Sequence, residues 1–253
     1  MKMAFTIAAR ELRSLFLSPL AWTVLAVVQA ILAYMFLVQI EFFMQIQPRL
    51  AAMPGAPGVT DIVAIPVFGN AAIVLLLVVP LLTMRLISDE KRNQTISLLL
   101  SAPLSMSEII LGKYIGVVIF LSIMVLMVLL MPLALLVGGS LDFGLLMSAL
   151  LGLFLLVASF AAVGLYMSSL TAQPVIAAVS GFGALLLFWI INWTARGGAT
   201  GSDNVLAYLS MVQHYEPMLK GVFNSSDVIY YLLVIATFLV FSVRRLDSDR
   251  LQH

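Results

Sequence analysis

The chain has 253 residues, of which 62% are hydrophobic and only 10% charged, with a mean hydropathy of +1.12. A soluble domain is about half apolar and a quarter charged, so a water-soluble globule is excluded. Lys and Arg number 13 against 12 Asp and Glu, which leaves no basic footprint for nucleic acid; with no cysteine, and His214 and His253 the only histidines, neither a disulfide nor a zinc cluster can be built.

Residues 2–18 place Phe5, Ala9, Leu12 and Phe16 at helical spacing opposite Lys2, Arg10 and Arg13. That pattern predicts a helix lying in a membrane interface; the plainer alternative is a basic lead-in that only sets orientation. A hydrocarbon core about 30 Å thick takes about 20 apolar residues in a helix. Six stretches meet that length, at 20–40, 66–86, 112–136, 143–168, 174–193 and 227–243. The runs are continuous rather than alternating, so strands are excluded and the predicted fold class is an all-α membrane protein of six spans. The first run is too long for a signal-peptide core and ends in Tyr34-Met35-Phe36-Leu37, a poor cleavage context, so it reads as a retained span. Residues 45–62 follow as a loop rich in Pro and Gly, with no chemistry in it. Pro80 and Pro132 are expected to kink the second and third spans. Ser105 and Glu108 form a capping box before the third, Pro174 suits the first turn of the fifth, and Asp227 is expected to cap the sixth.

Two connections are longer than a joint requires. Residues 87–108 carry Asp89, Glu90, Lys91 and Arg92, then Leu98-Leu99-Leu100 and Pro103. This predicts a short helix at the membrane face over 88–105, shown to a partner; the alternative is a solvated turn. Substituting Glu90 and Arg92 is expected to leave folding intact. Residues 195–226 open with Gly197, Gly198, Gly201 and Ser202, and 205–221 are apolar enough to lie on, or dip into, the opposite interface. The tail from Arg244 to His253 reads as a basic anchor.

With the N-terminus inside, Lys2, Arg10, Arg13, Arg85, Lys91, Arg92, Lys113, Arg244, Arg245 and Arg250 fall on the cytoplasmic side, and only Arg49, Arg196 and Lys220 outside. The bias predicts both termini in the cytoplasm.

No ionisable residue falls at mid-span, since Glu41, Arg85, Lys113 and Asp142 all lie near ends, which speaks against an ion-coupled carrier. Gln29, Gln39, Tyr34, Asn70, Thr83, Ser122, Ser148, Ser159, Ser180 and Asn192 either line a path or bond helix to helix. Gly112-Lys113 is followed by Tyr114 and has Ser107 where the first glycine of a phosphate loop belongs, so the chain does not hold ATP that way. A rhomboid-like serine protease would need a base for Ser180, and His214, predicted outside the spans, is the sole candidate. The 14 Met residues are scattered and read as packing rather than copper ligands. Of two small-residue pairs, Gly112/Gly116 lies at the membrane edge, leaving Ala177/Gly181 as the candidate seam between two copies. No catalytic, cofactor or metal site is predicted.

The run from Glu90 to Gly116 resembles the cytoplasmic connection of ABC-2 type transporter permeases, with Glu90, Lys91, Arg92, Thr95, Leu98, Leu99, Pro103, Glu108, Gly112 and Lys113 in matching places. Asn93-Gln94 stands where that family has a single Gly, which leaves the local turn open. Tyr208 to Tyr231 is similar to the gliding-motility-associated subgroup, through His214, Tyr215, Glu216, Lys220, Gly221 and Asp227. The resemblance implies six spans, an N-terminal interfacial helix, and a coupling helix that docks residues 88–97 on a cytoplasmic ATP-binding subunit. Asp89, Glu90, Lys91, Arg92 and Thr95 would be the contacts, and ATP and Mg would sit on that subunit alone. It also implies a bacterial inner-membrane location, a second permease copy or homologue, and in the subgroup a membrane protein with a large periplasmic domain. The implied activity is export of a lipid, polysaccharide or other bulky substrate. A non-transporting scaffold acting on an envelope partner is the alternative.

Overall fold

The computed structural model describes residues 2–50, 57–95, 105–137, 141–195 and 208–251, and among these every regular element is helical. In chain order they are α1 (Lys2–Leu17), α2 (Pro19–Leu50), a π-helical turn (Thr60–Ala64) leading into α3 (Ile65–Thr83), α4 (Arg85–Arg92), α5 (Met106–Leu133) with a tight 3₁₀ turn (Ala134–Val137), α6 (Phe143–Leu170), α7 (Pro174–Ala195), α8 (Met211–Leu219) and α9 (Ser225–Leu251). Six helical stretches are long and apolar enough to cross a membrane: Pro19–Arg49, Thr60–Arg92, Met106–Leu136, Phe143–Leu170, Pro174–Ile191 and Ser225–Arg250. They are the six spans the hydropathy predicts.

Their ends differ from the predicted ones for local reasons. α5 starts at Met106 rather than 112 because its capping box closes there. The Glu108 N–H donates to Ser105 Oγ at 3.2 Å and the Ser105 N–H to Glu108 Oε2 at 3.5 Å. α7 begins on Pro174, whose missing N–H is one of the orphans of a first turn. α2 runs through Pro48 to Leu50, into the stretch read as loop, and α9 continues to Leu251, so much of the tail is helix. Leu98, Leu99, Leu100 and Pro103, and likewise Gly197, Gly198, Gly201 and Ser202, lie outside the described residues.

α6 is the axis of the bundle. Every residue from Leu155 to Leu165 is buried, and α3, α5, α7, α8 and α9 all pack on it. Gly164 permits the closest approach: a Cβ there would stand 2.1 Å from Thr83 Oγ1 of α3. At its start, Asp142 Oδ1 accepts from the N–H groups of Gly144 and Leu145, and the Asp142 N–H donates to Thr60 Oγ1, fixing the π-helical turn.

α1 lies along the first turns of α5. A Cβ on Gly112 would meet Ile7 Cβ at 2.7 Å and the Ala4 carbonyl at 2.8 Å; one on Gly116 would meet Glu11 Cβ at 2.9 Å. This pair at the membrane edge is therefore the groove that receives Ala4 and Ala8, both buried. The face of α1 packed on α5 is this small-residue stripe. Phe5 is 64% exposed and Ala9 is exposed too, which turns that side of the helix toward lipid.

Candidate functional site

The second span breaks near its end, and the break is chemically specific. In a regular helix the Ser88 N–H would bond to the Met84 carbonyl. Here the Ser168 hydroxyl of α6 stands between them: it donates to the Met84 carbonyl at 2.8 Å and accepts from the Ile87 and Ser88 N–H groups, each at 3.1 Å. Ser88 Oγ also donates to the Met84 carbonyl. A side chain inserted in the hydrogen-bond ladder bends a helix, and Pro80 has already removed one N–H a turn earlier. Past this joint the chain continues as α4.

α4 carries the predicted charge cluster, and two of its charges are held inside the chain. Lys113 of α5, whose side chain is 3% exposed, donates from Nζ to Glu90 Oε1 and to Glu11 Oε1, at 2.7 Å each. Burying an ammonium demands partners, and these two come from α4 and α1. Lys91 Nζ reaches the Ser169 carbonyl of α6 and Asp249 Oδ2 of α9, both at 2.5 Å. Glu90 and Lys91 are thus not the solvated charges of the turn reading. Asp89 is half-buried, whereas Arg92, Asn93, Gln94 and Thr95 are exposed.

The turn left open by Asn93-Gln94 is defined. The Gln94 N–H bonds the Lys91 carbonyl at 3.3 Å and the Thr95 N–H the Glu90 carbonyl at 3.0 Å, a Schellman closure. It needs one left-handed residue, and Gln94 supplies it at φ +57°, a conformation that burdens an L side chain by about 1–2 kcal/mol. The same closure ends α8, where Gly221 takes φ +75° without that burden and the Val222 N–H reaches the Pro217 carbonyl.

At the far end, α8 is tucked among α3, α6, α7 and α9 instead of lying on the surface. Met211, His214, Tyr215 and Met218 are buried. Tyr215 donates to the Phe68 carbonyl at 3.0 Å, and burial pushes its phenol well above the usual range, so it stays a donor. Glu216 is half-buried on the same helix. His214 Nε2 stands 2.9 Å from the Tyr208 carbonyl and Nδ1 2.6 Å from Asp227 Oδ1, with the Tyr230 ring stacked at 4.0 Å. A carbonyl only accepts, so Nε2 carries a hydrogen. The Nδ1···Oδ1 contact must then hold a further proton, on one atom or the other. This bond takes Asp227 away from its expected role as helix cap, although it does sit in the first turn of α9.

Other expected sites resolve into packing. Ala177 and Gly181, the candidate seam between copies, are covered within the chain: Ala177 is 2% exposed and Gly181 faces Pro80, Met167 and Gly164. Ser180 Oγ donates to its own helix at Ala177, and His214 has both nitrogens engaged, so no nucleophile–base pair is formed. Gln29 bonds the Met124 carbonyl and Ser148 the Met218 carbonyl, joining helix to helix, whereas Ser122 and Ser159 bond back to their own helices. Sequence reasoning missed Ser168, Glu11 and Asp249. Only Glu11 left a trace, as the single acid in a basic helix.

Among comparisons with known proteins, the model of the ABC-2 family transporter proteins matches residues 5–251. No curated protein matches the chain.

Proposed function

The chain belongs to the ABC-2 family of transporter proteins, and from that premise we propose that it is the membrane subunit of an ATP-driven exporter whose cytoplasmic ATP-binding subunit docks on the end of α4. What supports this is the way α4 is tied. Its tip, Arg92 to Thr95, is exposed, Asp89 borders it, and Glu90 and Lys91 grip α1 and α5 on one side and α6 and α9 on the other. A push on the tip would pivot at the Ser168 joint and reach four helices without passing through lipid. On this reading Arg92 and Thr95 are contacts, whereas Glu90 and Lys91 transmit.

The end of the bundle that holds α1, α4 and both terminal regions is the cytoplasmic one, by its excess of Lys and Arg, and the membrane is the bacterial inner membrane. A second permease copy or homologue pairs through open apolar surface, not through Ala177 and Gly181. Bulky cargo such as a lipid or polysaccharide moves between the copies, ATP and Mg remain on the partner, and a protein with a large periplasmic domain joins at the α8 end. The test is capture of the ATP-binding subunit and its hydrolysis rate in the reconstituted complex. Arg92→Ala with Thr95→Ala should weaken capture while leaving expression and melting unchanged. Unchanged capture and hydrolysis would refute the docking assignment.

A further inference from the structure

Beside the Lys113 cluster lies a cavity of about 290 Å³, framed by α1, the start of α2, the end of α3, α4 and α5. Its walls are of two kinds. Leu20, Ala21, Leu81 and Leu82 come from the first turn of α2 and the last turn of α3, while Arg10, Ser14, Arg85 and Asp89 come from α1 and α4. Trp22 marks the level: it is 56% exposed, one residue past Ala21, and donates from Nε1 to the Phe16 carbonyl at 2.7 Å. Indoles sit where headgroups meet hydrocarbon, so the cavity straddles that boundary.

Its charges do not all cancel locally. Lys113 is saturated by Glu11 and Glu90, but Arg10 and Arg85 are exposed and form no ion pair among the described residues. Guanidinium forks match phosphate oxygens two at a time, and basic pockets between spans seat lipid headgroups. An ATP-binding subunit approaches from water and has no use for the leucine wall; a phospholipid uses both walls. We propose that this cavity seats the phosphate-bearing headgroup of a resident membrane phospholipid, held by Arg10 and Arg85, with its glycerol and upper acyl chain against Leu20, Leu81 and Leu82. The lining charges sum to zero, three cations against three carboxylates, which favours a zwitterionic headgroup with its ammonium toward Asp89. The lipid is a fixed part of the α1–α4 junction, not cargo. This inference rests on the chain crossing a membrane and is independent of docking at Arg92.

The test is native mass spectrometry of the delipidated protein, titrated with phosphatidylethanolamine, diacylglycerol or inorganic phosphate. The wild type should retain one phosphatidylethanolamine, and Arg10→Ala with Arg85→Ala should bind it roughly tenfold more weakly, as expected when two charge-assisted contacts are lost. Should that variant misfold, Arg10→Lys with Arg85→Lys keeps the charge, removes the forks, and should still bind more weakly than wild type. Diacylglycerol, which lacks the phosphate, should not be retained. Equal retention by variant and wild type, equal retention of diacylglycerol, or the same loss in an Arg13→Ala/Arg244→Ala control outside the cavity would each overturn the proposal. Displacement of the lipid by inorganic phosphate would replace it with a free-phosphate site. Loss of ATP-binding-subunit capture with lipid retention unchanged would assign the cavity to that subunit.

Discussion

Replacing Lys113 by Met tests whether the junction of α1, α4 and α5 is electrostatic or merely apolar. The Lys113 side chain is 3% exposed, and each of its carboxylate partners stands at 2.7 Å. Removing one member of a buried ion pair destabilises by about 3–5 kcal/mol, because the other is left uncompensated. Here the stranded groups, Glu11 and Glu90, are 20% and 23% exposed and can turn partly toward water, which lowers the expected loss to about 2–3 kcal/mol. For a chain of this size that corresponds to a melting midpoint lower by about 5–10 °C, read by size exclusion after heating. Glu11→Gln and Glu90→Gln added to Lys113→Met should recover most of the loss, since replacing a whole buried ion cluster is often neutral. If Lys113→Met melts with the wild type, or the triple variant is no better than the single, the cluster does not hold the junction. Glu90 itself is no longer a surface charge whose loss would shift stability by only about 0.5 kcal/mol. Glu90→Ala should lower the midpoint measurably, and Arg92→Ala should not.

Gly112→Val should lift α1 from α5, because even a Cβ there would stand 2.7 Å from Ile7; in an Ala8→Cys background, where position 8 is otherwise buried, maleimide labelling should accelerate, and unchanged labelling would contradict the groove. Ser168→Ala removes three hydrogen bonds at the Met84 joint and should destabilise by about 1–3 kcal/mol while uncoupling ATP hydrolysis from work, so a variant with normal stability and normal coupled hydrolysis would show the joint is incidental. A single Cys at position 95 should label only from the cytoplasmic side, and at 55 or 200 only from outside; outward labelling at 95 in intact cells would reverse the orientation drawn from the Lys and Arg excess.

What the sequence disclosed and what it withheld divide along a physical line. Span number and order depend on apolar run length alone, a property of each segment in isolation, and all six were legible. So was the capping box at Ser105 and Glu108, because its partners are three residues apart. Which side of α1 packs on α5 was not legible from hydrophobicity. Inside a bilayer apolar side chains are equally comfortable against lipid, and close approach of backbones selects small residues instead. Ala4 and Ala8 opposite Gly112 and Gly116 obey that rule, and Phe5 is left for the lipid. Ala177 and Gly181, singled out by that small-residue rule as a seam between copies, are covered by a crossing inside the chain.

The polar contacts at the α4 junction could not be read, because their partners are far apart in the chain. Lys113 meets Glu11 and Glu90, Lys91 meets Asp249, and Ser168 meets Met84, Ile87 and Ser88. In each case a residue near the end of a span looked harmless, since an end lies close to water. Burial changes that: once α1 covers the first turns of α5, Lys113 loses its water and must be paired within the protein. The position of α1, set by glycine spacing, thus decides whether Glu90 is a solvated charge or a structural one. That dependence makes the junction suited to transmission, because anything that moves α4 must either carry α1 and α5 with it or expose a buried ammonium.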